Sequence, residues 1–276
     1  MADTNPLSNC RLAFIGCGVM AEAVIAGLLR KKLVGPEQIT GSHPRQARRE
    51  EMHVKYGVEM FEQNRDAVPD SSIVVLAVKP QRLHRVLEEL KGSLVKEQLV
   101  VSIVAGAKIE TISEALLHAS VVRTMPNTPA QIGEGVTAWT ASAEVNETQE
   151  NQVCAMLEAL GKTVRVENER QIDMATALSA TGPTYIFLVM EALIDAGVHM
   201  GFSRHVAQEL VHQTMLGSVL FARESHKHPA ELRNMVTSPG GTSAEAIYQM
   251  EKGSLRTVLS KAVWSAYQRA EALGKK

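Results

Sequence analysis

The spacing of hydrophobic positions changes partway along this chain. Over residues 11–166, short β-branched runs alternate with stretches whose apolar residues recur at helical spacing. The runs lie at 12–15, 73–78, 99–104 and 121–123, with shorter strand candidates at 135–140 and 163–166. Nearly continuous apolar strands between amphipathic helices predict a parallel sheet covered on both faces. Between two of them, residues 80–90 open with Pro80 and place Leu83, Val86, Leu87 and Leu90 on one stripe, which predicts a helix. Beyond Glu169 the strand signals stop, and the spacing predicts helices over 172–200, 205–224, 229–235, 244–250 and 255–273. The expected fold class is therefore α/β, a doubly wound parallel sheet over 9–168 followed by an all-helical domain over 169–276.

Composition narrows what such a chain can do. With 276 residues and 45% hydrophobic content, two cores are affordable. The formal charge is −1, and the longest basic block is Arg30 to Lys32, so no nucleic-acid footprint is expected. Cys10, Cys17 and Cys154 are too few and too scattered for a disulfide framework or a metal cage, and they fit a reducing compartment. No basic-then-apolar leader opens the chain, so a cytoplasmic protein is expected. The uncharged stretch from Met174 to Met190 is shorter than the ~20 residues of a bilayer span and holds Gly182, Pro183 and several hydroxyls. A buried helix is expected there rather than a membrane anchor.

Candidate chemistry begins where the first strand meets the first helix. Gly16-Cys17-Gly18-Val19-Met20-Ala21 reads G-x-G-x-x-A. Gly16 makes the tight turn, Gly18 lets backbone approach a pyrophosphate, and Ala21 allows close helix–strand packing, the fingerprint of a Rossmann-type dinucleotide site. The helix start then offers N–H donors to phosphate. About 20 residues on, an NADH-preferring site carries a carboxylate for the ribose. Here the second strand ends in Ser42-His43-Pro44-Arg45, where Ser42 and Arg45 can receive a 2′-phosphate, so NADPH is expected, with NADH weaker. Arg48 and Arg49 add local charge, although a solvated helix face explains them equally well. Ala77-Val78-Lys79-Pro80 and Ile103-Val104-Ala105-Gly106 end two further strands on the same carboxyl edge, where ligands bind in such sheets. A plain surface role remains open for Lys79.

These segments, together with Arg123-Thr-Met-Pro-Asn-Thr-Pro-Ala130, Ala177-Leu-Ser-Ala-Thr-Gly-Pro-Thr-Tyr185 and Met235-Val-Thr-Ser-Pro-Gly-Gly-Thr-Ser243, resemble the pyrroline-5-carboxylate reductase family in order and spacing over residues 11–270. The resemblance implies an NADPH-binding Rossmann domain and a helical domain through which chains self-associate, as a dimer or a decamer of dimers. It implies that Ser42, Asn64, residues 77–80 and residues 103–105 touch the cofactor. It also implies that Thr242 and Ser243 hold a small-molecule substrate with Glu169 nearby, and that the 237–243 loop of one chain serves the nicotinamide of another. The family pattern usually has threonine where this chain has Ser243, a departure that keeps the hydroxyl but leaves pocket fit open.

The 237–243 segment has chemistry of its own. Gly240 and Gly241 expose backbone N–H groups and Ser243 can cap the following helix, which makes a receptor for a carboxylate. A plain turn with an N-cap explains the same residues. By the resemblance, 1-pyrroline-5-carboxylate is reduced to L-proline, the last step of proline biosynthesis. A protonated imine already accepts hydride well, so the protein's work is orientation and water exclusion. Ser243 would then hydrogen-bond the ring nitrogen. No lysine falls between Lys162 and Lys227, so a lysine acid on the long helix is not expected, and no histidine pair suggests a metal. His199, His205 and His212 read as packing or surface residues; His226 and His228 either line a pocket or start a helix. Two alternatives stay open: a related reductase of another cyclic imino or carbonyl carboxylate, and an NADPH sensor without turnover.

Overall fold

Four-residue apolar strands form the centre of the sheet because each is buried on both sides. The computed structural model describes residues 5–274. Strands β1 (Leu12–Ile15), β2 (Ile39–Ser42), β3 (Glu59–Phe61), β4 (Ile73–Leu76), β5 (Leu99–Ser102), β6 (Val121–Met125), β7 (Gly135–Ala141) and β8 (Gly161–Arg165) form one sheet in the order β3-β2-β1-β4-β5-β6-β7-β8. All neighbours run parallel except β6 and β7. Helices α1 (Val19–Arg30), α2 (Gln46–Tyr56), α3 (Pro80–Leu90), α4 (Ile109–Leu116) and α5 (Glu147–Glu158) make the crossovers. Phe14, Val75, Val101 and Val122 face one layer with Val24, Ile25, Leu28 and Val153. Ile15, Val74, Leu76 and Val100 face the other with Leu83, Leu87, Ile112 and Leu116. This is the doubly wound arrangement the apolar runs predict.

Three expected strands need new bounds, and one strand is additional. β3 was not foreseen, because Glu59-Met60-Phe61 is too short to show a period. The runs at 73–78 and 99–104 stop pairing at Leu76 and Ser102, and their last two residues become loop at the carboxyl edge. The strand expected at 163–166 lies at Gly161–Arg165.

The helical segment starts at Glu169 as α6 (Glu169–Ala175), widens into a π turn over Thr176–Ala180, and continues as α7 (Gly182–His199). Then come α8 (Arg204–Ser225), α9 (Pro229–Met235), α10 (Thr242–Lys252) and α11 (Leu255–Leu273). The chain divides into Met1–Thr181 with Ala266–Lys276, and Gly182–Ser265. That division differs from a boundary at 168/169. The reason is that α6 belongs to the sheet: Ile172 is fully buried beside Met125 and Ala138, and Asp173 pairs with Arg123. The end of α11 belongs there too, with Tyr267 and Ala270 buried and Arg170 Nε donating to the Tyr267 hydroxyl at 3.1 Å.

Within Gly182–Ser265, α7 and α8 pack closely, and a Cβ on Gly197 would lie 3.0 Å from that of Ala207. Only Ile194, Gly197 and Ala207 are buried in this unit. The expected buried helix at 174–190 is therefore not buried in the single chain: Ile186, Phe187 and Leu188 are 50%, 59% and 66% exposed. The stretch Glu169–His199 is, by length and composition alone, apolar enough to cross a membrane, and 11% of its most apolar window is buried. Periodicity identifies a helix, but it cannot say whether its apolar face is covered by the same chain.

Candidate active site

One transverse row organises the carboxyl edge of the sheet. Ser42 pairs with Ile15, Ile15 with Leu76, Leu76 with Ser102, and Ser102 with Arg123. Each predicted cofactor segment, 16–20, 42–45, 77–80 and 103–105, begins at this row or the residue after it. Gly16 N and Cys17 N both donate to the Ser42 carbonyl, at 3.2 and 3.0 Å, and Ala77 N donates to Ile15 O at 2.9 Å. The loops are thus fixed to the ends of neighbouring strands before any ligand is considered.

The glycine turn has the form its sequence requires. Gly16 has φ +90°, and a Cβ there would lie 2.5 Å from Val78 Cγ1, so both backbone and space demand glycine. A Cβ on Gly18 would meet nothing within 4 Å, and α1 starts at Gly18 without a side-chain cap. The first N–H groups of α1 are therefore available beside open space, which fits a pyrophosphate. Cys17 lines the inside of the turn, its thiol is fully buried, and burial pushes it up to about 12. It packs as an apolar residue.

Ser42 and the arginines take unequal roles. The Ser42 hydroxyl is fully buried and donates to Asn64 Oδ1 at 2.8 Å, while Asn64 Nδ2 donates to Glu89 at 2.6 Å. Ser42 and Asn64 are thus coupled to each other. Arg48 is not a solvated helix face: its Nε donates to Cys17 O at 2.9 Å and its guanidinium pairs with Glu22 at 2.5 Å and Glu51 at 2.8 Å. Burial alone would raise the Glu22 carboxyl, but hydrogen bonds from Lys55, Arg48 and Tyr56 outweigh it and hold it at about 2. Arg49 donates to His43 O and Pro44 O and pairs with Glu62. Among the described residues the exposed Arg45 guanidinium has no partner, so of these three arginines it is the one left for an incoming phosphate.

Farther along the row, Ser102 and Arg123 support the 103–109 loop. Val104 N donates to the buried Ser102 Oγ at 3.2 Å, and Thr124 Oγ1 donates to Ser102 O at 3.1 Å. Arg123 is fully buried and pairs with Glu169 at 3.1 Å and Asp173 at 2.5 Å, one helical turn apart on α6. Glu169 Oε1 also accepts from Ile109 N at 2.9 Å. Sequence reasoning placed Glu169 beside substrate and gave Arg123 no role. The signal was an arginine inside Val-Val-Arg-Thr-Met, with carboxylates spaced i, i+4 downstream. Gly106, the last residue of the segment 103–106, lies against the end of α11, where a Cβ would meet Leu273 at 2.9 Å.

In the second unit, residues 236–241 form the turn between α9 and α10. Thr237 Oγ1 donates to Arg233 O at 2.6 Å, Gly241 N donates to Ser238 O at 3.0 Å, and Gly240 has φ +71°. Ser243 is not the helix cap. Gly241 holds that position without a side-chain bond, which puts Thr242 and Ser243 in the first turn of α10. Their hydroxyls are thereby free of the capping duty expected for Ser243. His228 caps the preceding helix, α9, its Nδ1 accepting from Ala230 N at 3.2 Å. Among the described residues no group of three His, Cys, Asp or Glu could hold a metal ion.

Comparison with known proteins bears on both units. Residues 169–273 match the family model for pyrroline-5-carboxylate reductase dimerisation, and residues 11–106 match that for NADP oxidoreductase, coenzyme F420-dependent. The chain is 41% identical to the pyrroline-5-carboxylate reductase of Synechocystis sp. over 268 residues, covering 97% of this chain and all of that one. It is 40% identical to the Pseudomonas aeruginosa enzyme of the same name, over 97% of this chain and 98% of that one. The crystal structure of Plasmodium falciparum pyrroline carboxylate reductase with NADP bound superposes with a TM-score of 0.89 at 31% identity, covering 97% of this chain and 99% of that one. With a dinucleotide edge, a glycine-turned helix start and full-length relatives of this identity, the chain belongs to the pyrroline-5-carboxylate reductase family.

Proposed function

We infer that this chain is an NADPH-dependent oxidoreductase that reduces 1-pyrroline-5-carboxylate to L-proline in the cytoplasm, working as a homo-oligomer. The observation that carries the reading is the single row of strand ends from which the cofactor segments leave. When bound, NADPH supplies the hydride. The amides of Val19 and Met20 at the start of α1 hold the pyrophosphate beside Gly16, Cys17 and Gly18. Arg45 selects the 2′-phosphate, with Ser42 and Asn64 shaping that pocket, and residues 77–80 and 103–105 border the rest of the cofactor.

The substrate carboxylate is received by the amides of Gly240, Thr242 and Ser243, since Gly241 N is already bonded to Ser238 O within the turn, and the Ser243 hydroxyl hydrogen-bonds the ring nitrogen so that the imine stays protonated. Glu169 contributes through the groups it orients, Arg123 and the Ile109 amide. Self-association through the helical unit is supported by the match to a dimerisation domain and by its exposed apolar faces. The dimer is the unit we propose, with a decamer of dimers as the larger assembly. A second copy of this chain, rather than a membrane, covers the α7 face, because Glu191 and Asp195 interrupt it.

The test follows NADPH oxidation with and without pyrroline-5-carboxylate, in wild type and in Ser243→Ala. Oxidation with proline as product is expected in wild type only when the imine is present. A lower turnover with unchanged NADPH affinity is expected in the variant. Cofactor binding without turnover on the imine would overturn the reading.

A further inference from the structure

The loop after β5 is held by a buried charge cluster at the far end of the same row of strand ends. Besides the internal bond from Ala107 N to Val104 O at 3.3 Å, three hydrogen bonds among the described residues tie 103–109 to its surroundings. Ile103 N donates to Leu76 O at 3.1 Å, Val104 N to Ser102 Oγ at 3.2 Å, and Ile109 N to Glu169 Oε1 at 2.9 Å. The first two hold the loop's departure and belong to the sheet. The third holds its return, where α4 begins, and comes from a side chain 60 positions away in sequence.

Glu169 is in turn fixed by Arg123. The guanidinium is fully buried on β6 directly beside Ser102, and it divides its two terminal nitrogens between Glu169 and Asp173. Its Nε is buried without a hydrogen-bond partner among the described residues. A buried cation with one donor unsatisfied is costly, and replacing such clusters with apolar side chains is often neutral or stabilising. Stability alone is thus a weak reason for this arginine.

We propose that Arg123 and Glu169 are positioning residues for NADPH, setting the return of the 103–109 loop through the Glu169–Ile109 hydrogen bond. Asp173 serves only to anchor the arginine. The inference rests on the reading that residues 103–105 border the cofactor. The two carboxylates make an internal control, because both pair with Arg123 and only Glu169 reaches the loop.

The experiment measures the dissociation constant of NADPH by fluorescence titration, beside thermal melts, for Glu169→Ala, Glu169→Gln and Asp173→Ala. Glu169→Ala should weaken NADPH binding about ten-fold or more, the worth of one charge-assisted hydrogen bond. Glu169→Gln keeps an acceptor for Ile109 N and should stay within about two-fold of wild type, a tolerance set by the smaller worth of a neutral bond. Asp173→Ala should lower the melting temperature at least as much as Glu169→Ala while leaving NADPH affinity nearly unchanged. Equal losses of affinity at Glu169 and Asp173, or an unchanged affinity in Glu169→Ala, would overturn the proposal.

Should Glu169→Ala fail to fold, Ile109→Pro removes the donor instead. Proline is accepted at the first helical position, and Lys108 before it is already extended (φ −77°, ψ 149°). The same weakening is expected, and unchanged binding would again overturn the proposal. Ala105→Trp tests the underlying reading separately, since it should weaken NADPH binding whatever Glu169 does. If Ala105→Trp binds normally, the loop does not border the cofactor. If it binds poorly while Glu169→Ala binds normally, only the present inference fails.

Discussion

The sheet unit and the helical unit treat apolar residues in opposite ways. In the sheet unit, apolar side chains on both faces of β1, β4 and β5 are fully buried. In Gly182–Ser265 the helices are just as well formed, yet Phe187, Leu188, Leu216, Val219 and Trp264 are half exposed or more. The buried ion pairs follow the same contrast, although the sheet unit carries surface pairs as well. Arg48–Glu22 and Arg123–Asp173 are largely withdrawn from water, whereas Arg204–Asp195 and Arg256–Glu251 lie on the surface, where ion pairs contribute little. One unit is folded by its own contacts. The other has local structure whose packing is unfinished in a single chain, as expected of a dimerisation domain.

The largest expected effect tests that contrast directly. Phe187→Asp alters a side chain that is 59% exposed in the single chain, so a free surface would tolerate it within about 0.5 kcal/mol. If a second copy covers the face, the substitution buries a carboxylate, which costs several kcal/mol. Sedimentation should then show a monomer where wild type shows an oligomer. An unchanged mass would mean this face is not the interface.

Next in size is a pair of glycines in the sheet unit. Gly16→Ala forces a side chain into a left-handed turn and against Val78, at a cost of about 1–3 kcal/mol, and should lower both stability and NADPH binding. Gly18→Ala enters open space, so the fold should be retained while NADPH binding weakens. Melting curves beside cofactor titrations separate the two. Equal loss of stability in both would contradict the open cradle at Gly18.

The same contrast explains what the sequence made legible. The strand–turn–helix at Gly16, the Pro80–Leu90 helix and the carboxyl-edge loops could be read because burial there follows from neighbours close in chain order. Arg123 was opaque, since its partners Glu169 and Asp173 lie more than 40 residues away and a single arginine in a strand has no period. Ser243 misled for a related reason: a serine just before Ala244 fits an N-cap, but the helix starts two residues earlier. Exposure on α7 was opaque in a third way. A helix apolar on several sides implies a covering partner but does not say which chain supplies it.

A middling effect is expected at the adenosine end. Arg45→Glu places a like charge where the 2′-phosphate is proposed to sit, so the Michaelis constant for NADPH should rise about ten-fold or more while that for NADH changes little. Arg48 and Arg49 cannot substitute, being bonded to Cys17, Glu22, Glu51 and Glu62. Equal effects on both cofactors would remove Arg45 from the phosphate site.

The smallest effect concerns acid stability of the partly buried charges that set the sheet unit apart. The Glu22 carboxyl falls from an ordinary value of 4.5 to about 2, because hydrogen bonds from Lys55, Arg48 and Tyr56 outweigh its desolvation. The folded state therefore binds its proton less tightly than the unfolded chain does. Its contribution to stability is fully present above about pH 5 and is lost as pH falls toward 2. Solvent near the pair screens it, so about 1 kcal/mol is expected rather than the full shift. Urea melts of wild type and Glu22→Gln at a series of pH values measure this. The stability gap should be constant above pH 5 and shrink between pH 4.5 and pH 2, as the carboxyl of wild type takes up its proton. Arg48 also holds Cys17 O, so the same variant should loosen the glycine turn and weaken NADPH binding slightly at neutral pH. A gap that stays constant down to pH 2 would mean that Glu22 contributes through packing rather than charge, and the polar contrast between the two units would then lose one of its supports.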